Sequence, residues 1–253
     1  MTSAEIVQRL PTALLAAARL LPVALTSPFL AGPLVPPAVR VGLALGLGSA
    51  IAALVAPARL DGLALAAAAL REGAVGLVLA LAVMAPVEAA RAGGRLADTL
   101  RGATLAELHV APIRQRESAA GDLLAHWTIL LASWAGTDRL VLGALLRGFA
   151  ALPPGATLPS GPALDVALRA AAGLLATSVA IAAPAAAGVL AADLALALVA
   201  RVTPQLGASN AAQPARAALG LFALAAAASA AGGRLVAEVA RAASLAGALG
   251  GTP

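Results

Sequence analysis

Cysteine, lysine and tyrosine are missing from this chain, and aromatic residues make up only 2% of its 253 positions. Without cysteine there is no disulfide, no thiolate metal site and no cysteine nucleophile. All 17 basic residues are therefore arginine. The formal net charge of +5 invites nucleic acid as a partner, but a chain nearly devoid of aromatics and without a continuous basic stripe lacks that footprint. Nucleic acid is not expected. The arginines stand instead at the ends of apolar runs, at Arg19, Arg40, Arg59, Arg91, Arg201, Arg216 and Arg234. That is where arginine meets the headgroups of membrane lipid.

Charge is scarce too, at 11% of residues against 61% hydrophobic. The segments Leu20–Val39, Val41–Ala58, Gly73–Val87, Ala170–Ala192 and Ala217–Gly233 contain no ionisable side chain. Burying them all in a water-soluble domain would need an outsized core for this length. Runs near ~20 apolar residues match the hydrocarbon thickness of a bilayer instead. The expected fold class is all-α: a multi-helix membrane protein, or subunit of a membrane complex, built of apolar helices and helical hairpins in a single domain, 1–253.

The first helix is expected from Glu5 to Leu25, retained rather than cleaved as a signal peptide, because apolar character continues past Arg19 to Leu34 without a cleavage pattern. Pro36 and Pro37 force an extended connection into a second helix that ends by Pro57. On that helix Gly42, Gly46 and Ala50 share one face, the spacing that lets a neighbouring backbone approach. A third helix is expected from Leu63 to Ala85, with Arg71 and Glu72 near an interface. The charges Glu88, Arg91, Arg95, Asp98 and Arg101 recur every three or four residues and predict a separate, partly solvated amphipathic helix or loop. Leu105–Gly121 reads as a connecting loop.

Leu123–Ala151 is interrupted at Gly136–Arg139. Each half falls below the ~17–25 residues of a spanning helix, so a hairpin turning at Gly136–Asp138, or one long helix, is expected. Asp165–Ala200 is too long for one perpendicular span and is expected to kink or fold back at Pro184. A last helix is expected over Ala215–Gly233. Charges inside these helices, at Arg71, Glu72, Asp193 and Arg201, need partners or a wet path.

Catalytic constellations are missing. His109 and His126 are the only histidines, and neither has metal-ligand spacing or a serine placed for a triad. No phosphate-cradling loop and no paired acidic cluster occurs. The reading is non-enzymatic, with no catalytic, cofactor or metal residues and no cofactor. One alternative comes from Glu88–Gly94, which fits the opening of the Glu-Ala-Ala signature through which ABC importer permeases dock an ATPase. The proline that should end that signature is missing, the next being Pro112.

Six segments in order resemble the T-type export-apparatus protein of bacterial type III secretion, SctT in injectisomes and FliR in flagella. They are Arg19–Pro22 with Pro36–Leu45, Arg71–Gly76, Ala92–Ala103, Arg116–Leu124, Gly136 with Leu145–Pro153, and Asp193–Leu206 ending in Arg201-x-x-Pro204-Gln205. The form Asp98-x-x-Arg101-Gly102 leans toward the injectisome branch. The chain departs from the family at Gly207–Asn210 and at Ala215–Arg216. The resemblance implies an inner-membrane, multi-pass subunit within a secretion-system basal body. It would pack with R-type and S-type subunits, and meet the U-type and V-type components, around a channel for unfolded secreted polypeptides. On that basis Arg95, Asp98, Arg101, Gly102, Pro204 and Gln205 are the candidate subunit-interaction residues, with Asp193 and Arg201 as pore candidates.

Overall fold

The computed structural model describes residues 3–30, 35–102, 118–156, 160–202 and 208–249, with the backbone alone at 3–7, 160 and 208–213. Among these residues there are eight helices and no strand. They are α1 (Ser3–Thr26), α2 (Pro37–Leu54), α3 (Gly62–Leu100), α4 (Ala119–Ala135), α5 (Thr137–Ala151), α6 (Ser160–Val202), α7 (Ala208–Ala226) and α8 (Ala228–Ala248). The all-α expectation holds. Four helices are long and apolar enough to cross a membrane, and up to six spans result if the two bent pairs each count as one.

The boundaries differ from expectation in ways that follow from packing. The apolar run ending at Ala85 and the charged stretch from Glu88 form one helix, α3, which passes through Pro86. A proline there removes one backbone bond and strains the turn before it. The buried side chains around it, Val83, Ala85, Val87 and Ala89, hold the helix together regardless. Likewise α6 continues through Pro184 as a single 43-residue helix and does not fold back. Ile181, Ala182 and Ala185 are buried on either side of that proline.

Two other apolar stretches are broken by bends. The chain bends by 79° between α4 and α5, at Gly136, whose φ of +71° only glycine adopts freely. The turn falls where expected, but the chain bends there without reversing. The last apolar stretch is not one helix over Ala215–Gly233. It bends by 58° between α7 and α8, and α8 continues to Ala248 with Glu238 and Arg241 paired on its polar side.

The contacts group the chain into two compact units, each assembled from separated segments. The first comprises residues 1–85, 132–172 and 238–253. Its core joins Ala16, Leu20 and Ala24 of α1, Ala44 and Ile51 of α2, and Phe149 of α5. The α1–α2 approach runs through Gly48, where a Cβ would lie 2.8 Å from Ala13 O and from Ala17 N. The expected small-residue face is the opposite one: Gly42, Gly46 and Ala50 are exposed, and a Cβ on either glycine would meet nothing within 4 Å. Gly48 wins because Ala44, Ile51 and Ala52 lie on its side of the helix and are buried with it.

The second unit comprises residues 86–131 and 173–237. Its core has two clusters, Ala90 with Leu124, Ile181 and Leu235, and Ala97 with Ala120, Ala185 and Leu224. Small residues set the helix spacing: a Cβ on Gly94 would sit 2.5 Å from the Gly121 backbone, and one on Gly188 would sit 2.6 Å from Leu219 O. No side chain larger than hydrogen fits at these two crossings.

Candidate functional site: two buried charge clusters

In the first unit, Arg19 of α1 and Glu72 of α3 are each only 3% exposed and face one another, Nε to Oε2, at 2.6 Å. Neither charge would be tolerable there alone. Arg19 Nη1 donates to Leu152 O at 2.8 Å. Glu72 Oε1 accepts from the Gly155 N–H at 2.7 Å. The guanidinium also stacks on the Phe149 ring, 4.6 Å from its centre, an attraction that desolvation strengthens. One ion pair thus ties α1, α3, the end of α5 and the turn at Leu152–Gly155.

This corrects two expectations. Arg19 is not an arginine reaching for a membrane headgroup, and Glu72 faces the protein interior rather than the surface. Arg71, its sequence neighbour, is exposed, because successive helix positions lie about 100° apart and only one can face the core. Arg19 and Phe149 were not singled out from the sequence. The available signal was indirect: of the adjacent Arg71 and Glu72 only one can face the core, so a buried Glu72 needs a counter-ion from another apolar run, and Arg19 is one such charge.

In the second unit the focus is Asp98, 2% exposed near the end of α3. Its Oδ1 receives Arg101 Nε at 2.8 Å. Its Oδ2 receives the Ser118 hydroxyl at 2.5 Å and the Ala120 N–H at 3.0 Å. Ser118 Oγ in turn accepts the Gly121 N–H at 3.0 Å. Ser118 and Asp98 together satisfy donors at the start of α4 that the helix itself cannot. Gly102 follows in the left-handed conformation, φ +77°, and its N–H donates to Thr99 O at 3.1 Å. The cluster fixes where α3 ends and where α4 begins.

Of the candidate residues, the structure brings Asp98, Arg101 and Gly102 together, and leaves Arg95 exposed on α3. Asp193 pairs with Arg216, both about a third exposed. Arg201 is exposed in the last turn of α6; neither it nor Asp193 is a deeply buried charge. Pro204 and Gln205 lie outside the described residues, as do Gly207 and most of the expected loop from Leu105. Glu88–Gly94 does not form a projecting loop. It lies within α3, with Glu88 bonded to Arg91 and Ala89, Ala90, Gly93 and Gly94 buried, an arrangement unlike an ATPase-docking surface. Among the described residues no group of three or more His, Asp or Glu could hold a metal.

Both clusters neutralise charge, cap helix ends and pin turns; the one hydroxyl beside a carboxylate, Ser118 at Asp98, is itself engaged in capping the start of α4. Their segments are those of the sequence resemblance. Arg19–Pro22, Arg71–Gly76 and Leu145–Pro153 meet at the first cluster; the Ala92–Gly102 part of the third segment and the Ser118–Leu124 part of the next meet at the second. Comparison with known families agrees: a family model described as bacterial export proteins, family 1, matches residues 10–241. Among curated proteins, none matches the chain significantly.

Proposed function

Because the chain belongs to bacterial export protein family 1, the FliR/SctT family, it is a component of the type III export apparatus and a multi-pass protein of the inner membrane; we propose that it forms part of the wall of the export gate. In this reading it packs with R-type and S-type subunits inside the basal body, meets the U-type and V-type components, and helps enclose the path of unfolded secreted polypeptides. It does so without catalysis, by holding helices in place. The sequence Asp98-x-x-Arg101-Gly102 favours the injectisome form.

The observation that carries this reading is the apolar ridge of α6. Leu164, Leu168, Leu175, Val179, Leu190, Leu194 and Leu198 are all well exposed along it. From Leu164 to Leu198 the ridge is about 50 Å long at ~1.5 Å per residue. The hydrocarbon core of a bilayer is only ~30 Å thick. Lipid therefore covers part of the ridge at most, and apolar protein surface is needed for the rest. Sister subunits of a gate supply such surface. A conduit for unrelated polypeptides also needs weak contacts along its path, which fits a chain whose buried charges, among the described residues, are all internally paired.

Purification of the tagged chain from its native host in mild detergent tests this. R-type and S-type subunits should co-purify in fixed ratio. Recovery of the chain with an ATP-binding-cassette ATPase, or alone as a stable monomer, would overturn the reading.

A further inference from the structure

Arg71 stands exposed on α3 with no ion-pair or hydrogen-bond partner among the described residues. Its helix neighbours Leu63, Leu70 and Leu77 are all more than half exposed. Beside it opens a crevice of about 330 Å³, walled by Val75 and Val78 of α3, Leu152 of the turn and Ala163 in the first turn of α6. Glu72 also borders this crevice, but its charge is already matched by Arg19. The crevice therefore carries one net positive charge. The first turn of α6 adds the positive end of a helix dipole, which favours the same kind of ligand.

The location narrows the ligand further. Both helices are candidate membrane spans, and the crevice lies near the start of each. Arg71 is nine residues beyond Gly62, or about 14 Å along the axis. Its long side chain leans back toward the helix start, as arginines do when they reach for the interface. At 39 residues α3 is about 58 Å long at ~1.5 Å per residue, about 28 Å more than the ~30 Å hydrocarbon core. A span centred in the bilayer leaves about its first 14 Å outside the hydrocarbon, which puts Arg71 at the headgroup level of one leaflet. We infer that this crevice binds an anionic phospholipid of the bilayer, with its phosphate on Arg71 and the head of one acyl chain against Val75, Val78 and Ala163. A two-chain lipid satisfies the bare cation and the bare leucines in one molecule, whereas free phosphate satisfies only the first.

This inference rests on the membrane placement and not on the role in the gate. Native mass spectrometry of the full chain, loaded with phosphatidylglycerol or phosphatidylcholine of identical acyl chains, tests it. One arginine at an anionic surface predicts a preference for phosphatidylglycerol of about fivefold. The preference should fall to near parity in Arg71→Gln, and persist in Arg71→Lys and in Arg169→Gln, whose parent is already paired with Asp165. Equal retention of both lipids by the wild-type chain, an undiminished preference in Arg71→Gln, or loss of the preference on adding excess inorganic phosphate would each overturn the site. Failure of the R-type and S-type subunits to co-purify, with the lipid preference intact, would instead count against the gate reading alone.

Discussion

Removing the Glu72 carboxylate should be among the most damaging single changes in this protein. The charge it leaves behind, Arg19, is 3% exposed and keeps only the Leu152 carbonyl and the Phe149 ring as partners. Arg19 Nη2 already lacks a hydrogen bond with the pair intact. Breaking one member of a buried pair typically costs about 3–5 kcal/mol, because the other is stranded without water. Glu72→Ala also orphans the Gly155 N–H, whose turn has φ +89°; this places the loss at the upper end of that range. Glu72→Gln keeps an acceptor for Gly155 and should cost less, about 1–3 kcal/mol. Replacing both partners, as in Arg19→Leu with Glu72→Leu, should cost well below the sum of the single losses, since no charge remains buried. For a chain of this size ~1 kcal/mol moves the midpoint by about 2–4 °C, so Glu72→Ala should lower it by roughly 10–20 °C. The assay is thermal unfolding of the detergent-solubilised chain, read from Trp127 and Trp134 fluorescence. If Glu72→Ala and Arg19→Leu each shift the midpoint by only a few degrees, and their effects simply add, the pair is screened by solvent and the reasoning fails.

The remaining expectations can be checked with the same assay. Asp98→Ala should destabilise by about 2–3 kcal/mol, combining a lost helix cap with a stranded Arg101; Asp98→Arg should lower the yield of folded protein before any complex forms, and a normal melt with only assembly lost would contradict this. Gly94→Ala should be severe, because its Cβ would sit 2.5 Å from the Gly121 backbone, whereas Gly46→Ala should be neutral or stabilising by up to about 1 kcal/mol. A tolerated Gly94→Ala would show that the α3–α4 crossing is looser than described. Arg169→Ala, which breaks a pair more than half exposed on both sides, should change stability by no more than about 0.5 kcal/mol.

Much of this protein was legible before any coordinates. Charge-free runs of near-bilayer length fix a helical, membrane-associated class, because backbone polar groups in an apolar medium must bond within their own segment. Pro36-Pro37 and Gly136 fix two chain breaks, since their allowed backbone angles are local properties. The family resemblance was also legible, through the order of six short segments. A helix end was read at Ala85 and a kink or fold-back at Pro184; packing on both sides carries one continuous helix through Pro86 and another through Pro184. The end of α8 was missed because Arg234, Glu238 and Arg241 end the charge-free run, although their spacing puts all three on one face of an amphipathic helix.

Which face of a helix is buried, and which charge meets which, was decided only in three dimensions. Gly42 and Gly46 carry the better small-residue pattern, yet Gly48 makes the contact, because burial depends on what stands opposite. Arg19 and Glu72 are 53 positions apart and belong to separate apolar runs. Sequence shows that each charge needs a partner; only the crossing of α1 and α3 brings them together. Local chemistry sets the elements and their breaks, and long-range Coulombic and steric complementarity chooses the pairs.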